Sequence, residues 1–125
     1  MRLTSLAYCL VVIEKQWPGE WMRGVLSLCV LSVVAEGETY GYAVAQRLQS
    51  AGLGTVKGGT LYPVLARLEQ DGLLTSSWRQ GDGGPGRKFF AVTPAGLAAL
   101  REQSEDWLTF TTRAAALMTR RRAKT

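Results

Sequence analysis

The chain has 125 residues and a mass of 13.6 kDa, the size of a single domain. It contains no histidine and only two cysteines, which excludes zinc sites built from Cys and His and any catalysis that needs an imidazole. The 15 basic and 10 acidic residues give a net charge of +5, which favours a polyanionic partner such as nucleic acid. Cys9 and Cys29 lie in apolar runs typical of buried thiols, and we expect a cytoplasmic protein.

Residues 1–15 begin with Arg2 and continue with an apolar stretch that is too short to span a bilayer as a helix. No small-residue cleavage pattern follows it, so a signal peptide is not indicated. We interpret 1–15 as an N-terminal extension, either disordered or produced by a start codon assigned too early. A helix that packs on the domain is the alternative, and we expect no membrane attachment.

The first predicted helix spans 20–36, where apolar residues recur at helical spacing until Gly37 ends the helix. Its predicted inward face comprises Trp21, Val25, Leu28, Cys29, Leu31, Ser32 and Val34. In the second predicted helix, Tyr40, Val44 and Leu48 are spaced by four residues. Gly52 is the predicted end of that helix.

The stretch KGGTLYPVLARL, residues 57–68, predicts a third helix with Thr60 as its N-cap. Pro63 is acceptable in the first turn because the first amides of a helix have no intrahelical partner. The predicted core stripe comprises Leu61, Val64, Leu65 and Leu68, and Asp71 with Gly72 ends the helix. Tyr62 and Arg67 fall outside this stripe and are therefore candidates for contact with a partner.

Alternation of Leu74, Ser76 and Trp78 predicts a strand, and the sequence KFFAV at 88–92 predicts a second one. The glycine-rich sequence RQGDGGPGR between them predicts a β-hairpin. Thr93 and Pro94 then start a last helix as its cap and its first helical residue. Its apolar members are Leu97, Leu100, Trp107, Leu108, Phe110 and Leu117.

This element order predicts a mainly α fold with a small β-hairpin, a winged helix-turn-helix followed by a long C-terminal helix. We divide the chain into the extension 1–15, a winged-helix DNA-binding domain at 16–94, a C-terminal dimerisation helix at 95–118 and a basic tail at 119–125. The last helix is longer than a core of this size requires, and its apolar stripe therefore predicts contact with a second copy of the chain.

An α-helix fits the major groove of DNA, and a basic hairpin reaches neighbouring phosphates. The predicted DNA-binding residues lie outside the apolar stripe of the third helix, just before it, or around the hairpin: Lys57, Gly58, Thr60, Tyr62, Pro63, Arg67, Arg79, Arg87 and Lys88. Two alternatives stay open, since Arg67 could pair with Glu69 or Gln70 and Tyr62 could pack beside the second helix.

The segments RGVLSLCVL, TYGYAVAQRL, GGTLYPVLARLEQDGLL and GGPGRKFFAVTPAG resemble the successive signatures of PadR-type transcriptional regulators, over about residues 17–110. The resemblance implies a winged-helix repressor that binds operator DNA as a homodimer. It adds Tyr40 and Tyr42, which match a YGY motif, to the DNA-binding residues. It also implies DNA contact for Tyr62 in the TLYP motif and for Arg87 and Lys88 at the wing.

In this family the long C-terminal helix and the N-terminal helix provide the dimer contact. The interface residues implied here are Trp21, Val25, Leu28, Leu100, Trp107, Leu108, Phe110 and Leu117. A twofold dimer places two reading helices about one DNA turn apart, which predicts a palindromic operator on double-stranded DNA.

Trp107 stands where some family members that bind flat aromatic compounds carry a tryptophan. The resemblance therefore implies a planar aromatic effector that stacks on Trp107, and a tryptophan that only fills the dimer interface is the alternative. We expect no metal and no cofactor.

Three other functions are less consistent with the sequence. The run GDGGPGRK lacks the lysine and hydroxyl pair of a phosphate-binding loop and joins two strands, and no pair of carboxylates suggests acid–base catalysis, so an enzyme is not expected. Attachment to a membrane surface needs a long amphipathic segment that the chain lacks. The remaining alternative is a winged-helix adaptor that binds proteins without contacting DNA.

Overall fold

The first three helices meet through apolar residues that recur at every third or fourth position of their sequences. In the computed structural model, which describes residues 15–81 and 84–124, α1 spans Gly19–Glu36, α2 spans Gly41–Leu48 and α3 spans Gly58–Gln70. A π-helical turn, Gln49–Leu53, extends α2. It contains Gly52 at a φ of 95°, a left-handed conformation that favours glycine, and the predicted helix end lies at this residue.

One small core lies where the helices and the sheet meet. Its buried apolar side chains are Leu26, Val30, Leu31 and Val34 from α1, Val44 and Leu48 from α2, Val56 from the α2–α3 connection, Leu61, Val64, Leu65 and Leu68 from α3, and Leu74 and Phe90 from the hairpin. The predicted core stripe of α3 is therefore confirmed. Each of these side chains contributes about 1.5–3 kcal/mol when it leaves water.

The buried face of α1 includes Leu31 and Val34, as predicted, but is otherwise rotated from the predicted face. Leu26 and Val30 point into the core, whereas Trp21 is 59% exposed and Val25 and Leu28 are only half-buried. Because α1 is apolar around most of its circumference, no single stripe of its sequence identifies the inward side. The face that carries Trp21, Val25 and Leu28 is left without full cover by the described part of the chain.

The predicted N-cap of α3, Thr60, is wrong. The helix begins three residues earlier, with Lys57 as its N-cap. The backbone N–H groups of Thr60 and Leu61 both donate to the Lys57 carbonyl at 2.9 Å. Pro63 consequently lies in the second turn, where it lacks the N–H that would bond the Gly59 carbonyl. Gly59 and Pro63 are both exposed, so water can reach the carbonyl that the proline leaves free.

Helix α3 ends where the sequence predicts. Asp71 is the C-cap, and Gly72 adopts a φ of 77°. The N–H of Leu73 donates to the Leu68 carbonyl at 2.9 Å, which is the closing bond of a glycine-ended helix. This turn directs the chain straight into the hairpin.

The sheet has three antiparallel strands: β1 at Thr39–Tyr40, β2 at Leu74–Gly81 and β3 at Gly84–Val92, in the order β1-β3-β2. The predicted hairpin is confirmed, with strands longer than expected. The sequence did not predict β1, because two residues show no periodicity. Tyr40, predicted to start the second helix, lies in β1 opposite Phe89.

The last helix, α4, spans Pro94–Lys124 and begins as predicted at Thr93. The Gly96 N–H donates to Thr93 Oγ1 at 3.0 Å, and the Thr93 hydroxyl donates to the Gly72 carbonyl at 2.7 Å. The helix includes most of the segment 119–125 that the sequence predicts as a basic tail. Its 31 residues span about 46 Å.

The chain before α1 is tied to the domain by Trp17, whose Nε1 donates to the Gly52 carbonyl at 2.7 Å. The predicted extension 1–15 lies outside the described residues apart from Lys15. In the part of the chain that the structure describes, no helix is long and apolar enough to cross a membrane.

Candidate nucleic-acid interface

The outer face of α3 is open to solvent. At about 100° per residue, the positions farthest from its buried stripe are Gly59, Pro63, Ala66 and Gln70, all of them exposed. The predicted contacts Thr60, Tyr62 and Arg67 are also exposed but lie on the two flanks of this face. Sequence reasoning missed Ala66 and Gln70 because it weighed charged and aromatic residues first. A helical projection of the sequence would have found them.

Tyr62 lies on the flank of α3 that faces α2. Its side chain is 53% exposed, and its ring covers the backbone of Gly41, the first residue of α2. The structure therefore combines both positions considered from the sequence, packing beside α2 and partial exposure. Tyr62 also lines a groove of about 320 Å³ between α2 and α3. Tyr42, which is 64% exposed, lines this groove together with Gln46 and Gly58.

The other flank of α3 faces α1. Arg67 Nη2 donates to Ser27 Oγ at 3.4 Å, a long hydrogen bond between exposed groups. The alternative pairing of Arg67 with Glu69 or Gln70 is not found among the hydrogen bonds and ion pairs of the described residues. Arg67 nevertheless remains exposed at the edge of the α3 face.

A second groove, of about 410 Å³, lies beside the N-terminus of α3. Lys57, Thr60 and Arg23 line it, with Trp17 at its far side. Two cations therefore border the end of α3 where backbone N–H groups point outward, a combination that suits an anionic partner.

Arg79 and Arg87 lie directly opposite each other on the two strands of the hairpin. Like charges in this position repel each other. Each guanidinium is stabilised by an aromatic ring whose centroid lies 4.5 Å away, with Arg79 over Phe89 and Arg87 over Tyr40. The Tyr40 and Phe89 ring centroids are 5.3 Å apart. Tyr40, a predicted DNA contact, is thus half-buried beneath Arg87 on the outer face of the sheet.

Two of the predicted wing cations have carboxylate partners. Arg79 pairs with Glu38, and Lys88 Nζ lies 3.3 Å from Glu69 Oε1. Glu69 also accepts a hydrogen bond from the Ser76 hydroxyl. That bond and, to a smaller extent, Lys88 hold the pKa of Glu69 below its ordinary value, although partial burial opposes the shift.

Lys57, Arg67 and Arg87 differ from these paired cations. Among the described residues, none of the three has a carboxylate within 4.0 Å. Of the predicted basic contacts, these three therefore present the least compensated charge. The sequence alone did not separate them from Arg79 and Lys88.

Trp107 lies half-buried between α1 and α4. Its ring centroid is 5.7 Å from that of Phe110, with the planes tilted by 49°. The two rings border a groove of about 280 Å³ that is also lined by Gly24, Ser27, Leu28, Gln103 and Asp106. The residue predicted to hold an effector thus lies at a groove lined by both predicted dimer helices.

The predicted dimer residues divide between two environments. Leu100 packs partly against the chain's own core. The apolar side chains that protrude from α4 beyond it are Leu108, Phe110 and Leu117, joined by Met118, with exposures of 65%, 61%, 69% and 78%. Among the described residues, no group of three His, Cys, Asp or Glu side chains is placed to hold a metal ion.

Comparison with known proteins identifies a family whose model matches the central part of the chain. The profile described as "Transcriptional regulator PadR-like family" matches residues 30–102. "Transcriptional regulator Rv3488" of Mycobacterium tuberculosis is 45% identical over 83 residues, which are 66% of this chain and 76% of that protein.

Solved structures of similar sequence share the fold. The crystal structure of a PadR family transcriptional regulator from Eggerthella lenta is 33% identical, with a TM-score of 0.71 over 94% of this chain and 96% of that one. A PadR-like transcriptional regulator from Bacillus cereus is 30% identical, with a TM-score of 0.71 over 80% of this chain and 97% of that one.

Proposed function

The chain belongs to the PadR-like family of transcriptional regulators, and from this premise we propose that it is a homodimeric repressor that binds operator DNA and is released by a small aromatic effector. Proteins of this family are regulators and not enzymes. The observation that carries the proposal is the exposed outer face of α3, which has a cationic wing on one side and a cationic groove on the other.

In this proposal α3 enters the major groove of double-stranded DNA. Gly59, Pro63, Ala66 and Gln70 then face the base edges. Lys57, Gly58 and Thr60 at the N-terminus of α3 meet one phosphate, and Tyr42, Tyr62 and Arg67 contact the backbone on its two flanks. The wing reaches the next phosphates through Arg79, Arg87 and Lys88, with Tyr40 supporting Arg87 from below.

The test of DNA binding is a gel-shift titration at fixed salt with a fragment from upstream of the protein's own gene. The double variant Arg87→Ala, Lys88→Ala is expected to weaken binding about ten-fold or more and to reduce the salt dependence of the affinity, since each lost phosphate contact lowers the slope by about 0.9. Arg101→Ala, which removes a cation from α4, is the control. Unchanged affinity of the double variant would contradict the proposed wing contact.

A second copy of the chain is the proposed cover for α4. Leu108, Phe110, Leu117 and Met118 expose apolar surface that a monomer rarely tolerates. Trp21, Val25 and Leu28 of α1 extend this surface, and the twofold arrangement places two α3 helices about 34 Å apart, as a palindromic operator requires. We therefore propose a dimer built on both helices.

Light scattering at micromolar concentration tests the dimer. The wild-type mass is expected to be twice 13.6 kDa, and Phe110→Glu is expected to give a folded monomer because it places a charge in the apolar contact. Thr112→Glu, an exposed position on the same helix, is the matched control. A wild-type monomer would contradict the proposal.

The groove beside Trp107 and Phe110 is the proposed effector site. Its aromatic walls suit a flat aromatic compound, and Asp106 at its edge suits one with a cationic substituent. Planar aromatic compounds are expected to quench tryptophan emission in the wild type but much less in Trp107→Phe, and to release the DNA. If a broad panel quenches neither protein, Trp107 serves only the helix contact.

The ion pairs Glu38–Arg79 and Glu69–Lys88 favour one rival, an adaptor that binds proteins, because they reduce the free positive charge of the wing. Genome-wide mapping of binding sites separates the two functions. A DNA-binding regulator gives discrete sites, expected near its own gene, whereas an adaptor gives none of its own. A regulator of this kind acts where the DNA lies, and we propose the cytoplasm as its location.

A further inference from the structure

Trp78 is the most exposed of the aromatic side chains that the structure leaves open to solvent, at 72% against 64% for Tyr42 and 61% for Phe110. It lies on β2 of the wing, apart from the apolar surface of α4. A tryptophan held in water on a regular strand gains nothing for the fold, and such rings are enriched where proteins meet partners. The wing therefore carries an aromatic contact that the proposed DNA-binding residues do not include.

The position of Trp78 follows from the pleat of β2. Leu74, Ser76 and Trp78 share one face of the sheet, since successive residues alternate. Leu74 is buried in the core, and Ser76 donates to Glu69 of α3. Trp78 lies two residues further along, about 7 Å nearer the hairpin tip, so it projects beyond the end of the sheet's contact with α3.

The hairpin that carries the ring is basic on both of its faces. Lys88 is its direct partner on β3, and Arg79 and Arg87 occupy the next row on the other face of the hairpin. Gly86 passes beside the indole, where a Cβ would lie 3.7 Å from Trp78 Cε3. A single exposed ring beside one lysine, on a hairpin whose other face carries two arginines, does not resemble the broad apolar patch of a protein-binding surface, but it complements a polyanion with apolar sugar edges.

We propose that Trp78 packs against the deoxyribose rings of the DNA backbone beside the major groove occupied by α3. The inference rests on the proposed DNA binding and adds a contact of a different kind. Lys88 and Arg87 neutralise phosphates, while the indole excludes water from the sugar edges and its N–H can donate to a phosphate oxygen. Because an apolar contact releases no counterions, its contribution to affinity is independent of salt.

The experiment compares Trp78→Ala, Trp78→Phe and Ser77→Ala on the promoter fragment of the protein's own gene and on a random-sequence duplex. Ser77 is the control because it is exposed on the opposite face of β2. Trp78→Ala is expected to weaken binding to both duplexes about ten-fold, with an unchanged slope of log affinity against log salt. Trp78→Phe is expected to recover most of the affinity and to lose the DNA-induced quenching of tryptophan emission.

Each outcome decides a separate point. If the wild type binds neither duplex, the proposed function fails. If the wild type binds and Trp78→Ala binds equally well, this inference alone is wrong. A smaller salt slope in Trp78→Ala, or a changed mass in light scattering, also overturns it, because the variant would then have lost an ionic or a subunit contact. Circular dichroism checks that each variant is folded. If Trp78→Ala does not fold, the comparison of Trp78→Phe with the wild type still tests the contact through the DNA-induced quenching of tryptophan emission.

Discussion

The ring of Tyr62 lies on the backbone of Gly41, so that a Cβ at residue 41 would lie 2.5 Å from both Cε1 and the hydroxyl oxygen of Tyr62. The contact joins the first residue of α2 to the exposed flank of α3. Gly41 does not need its glycine for backbone conformation, since its φ is not positive. Its small size instead allows Tyr62 to lie against α2.

The first prediction concerns Gly41→Ala. The added methyl group displaces the end of a flexible, half-exposed side chain, so we expect the free energy of unfolding to change by less than about 1 kcal/mol. DNA affinity is expected to fall, because the tyrosine no longer holds its place beside α3. Urea unfolding and a DNA titration of the same preparation measure the two effects.

Gly24→Ala is the matched control for this prediction. Gly24 lies inside α1, and a Cβ there meets nothing within 4 Å. It is expected to raise stability by about 1 kcal/mol through helix propensity and, provided that light scattering shows an unchanged mass, to leave the affinity for DNA in the absence of an effector unchanged. In the double variant Gly41→Ala, Tyr62→Ala, affinity is expected to match Tyr62→Ala alone; an additive loss would mean that Gly41 acts through another residue.

The second prediction concerns Glu69→Gln. Because Glu69 lies 3.3 Å from Lys88, it competes with the DNA phosphate that this lysine is proposed to contact, and its removal is expected to strengthen that contact. Affinity should rise roughly three- to ten-fold, with a steeper salt dependence. Stability should fall by less than about 1 kcal/mol, since the pair is partly exposed. The measurement is a DNA titration at several salt concentrations.

Glu102→Gln removes the same charge from α4 and serves as the control. If it raises affinity as much as Glu69→Gln does, the gain reflects net charge and not the release of Lys88. Glu38→Gln repeats the test on the other side of the wing, where the carboxylate pairs with Arg79.

Features set by neighbouring residues could be predicted from the sequence. The apolar stripe of α3, the glycine end at Gly72 and the cap at Thr93 depend on spacing or on single residue types with one dominant conformation. The hairpin belongs to the same group, since its strands alternate and its loop is rich in glycine.

Features that join distant parts of the chain could not be predicted. Glu38 and Arg79 are 41 residues apart and meet only because β1 adds to the hairpin, and β1 is too short to show a pattern. The inward face of α1 is equally ambiguous, because a helix that is apolar all round is oriented by what packs on it. The sequence places Trp78 on one face of a strand, but its exposure depends on how the sheet packs on the rest of the fold, which no local pattern shows.

The third prediction concerns acid stability through Glu36. Arg47 donates two hydrogen bonds to this carboxylate, at 2.9 and 2.8 Å, which lowers the pKa of Glu36 from its ordinary value of 4.5. A lowered folded-state pKa means that the pair stabilises the protein above about pH 4.5 and that this contribution is lost as the pH falls through the folded-state pKa. The effect should be small, because both side chains are about half exposed.

Urea unfolding of the wild type and of Glu36→Gln at several pH values measures the contribution of the Glu36–Arg47 pair to stability. The wild type is expected to be the more stable protein at neutral pH, and the difference should shrink as the pH falls through the lowered folded-state pKa of Glu36, because residue 36 then becomes neutral in both proteins. A difference that persists unchanged at low pH would show that the substitution acts through packing and not through the charge.

The fourth prediction concerns the Thr93 hydroxyl, which joins two helix ends. It accepts from the Gly96 N–H at the start of α4 and donates to the Gly72 carbonyl at the end of α3. Thr93→Ala removes both bonds and is expected to lower the free energy of unfolding by about 1–2 kcal/mol. Thr93→Ser keeps the hydroxyl and should retain most of the stability, as urea unfolding can measure. If the serine variant is as unstable as the alanine variant, the methyl group of Thr93 and not its hydroxyl stabilises this junction.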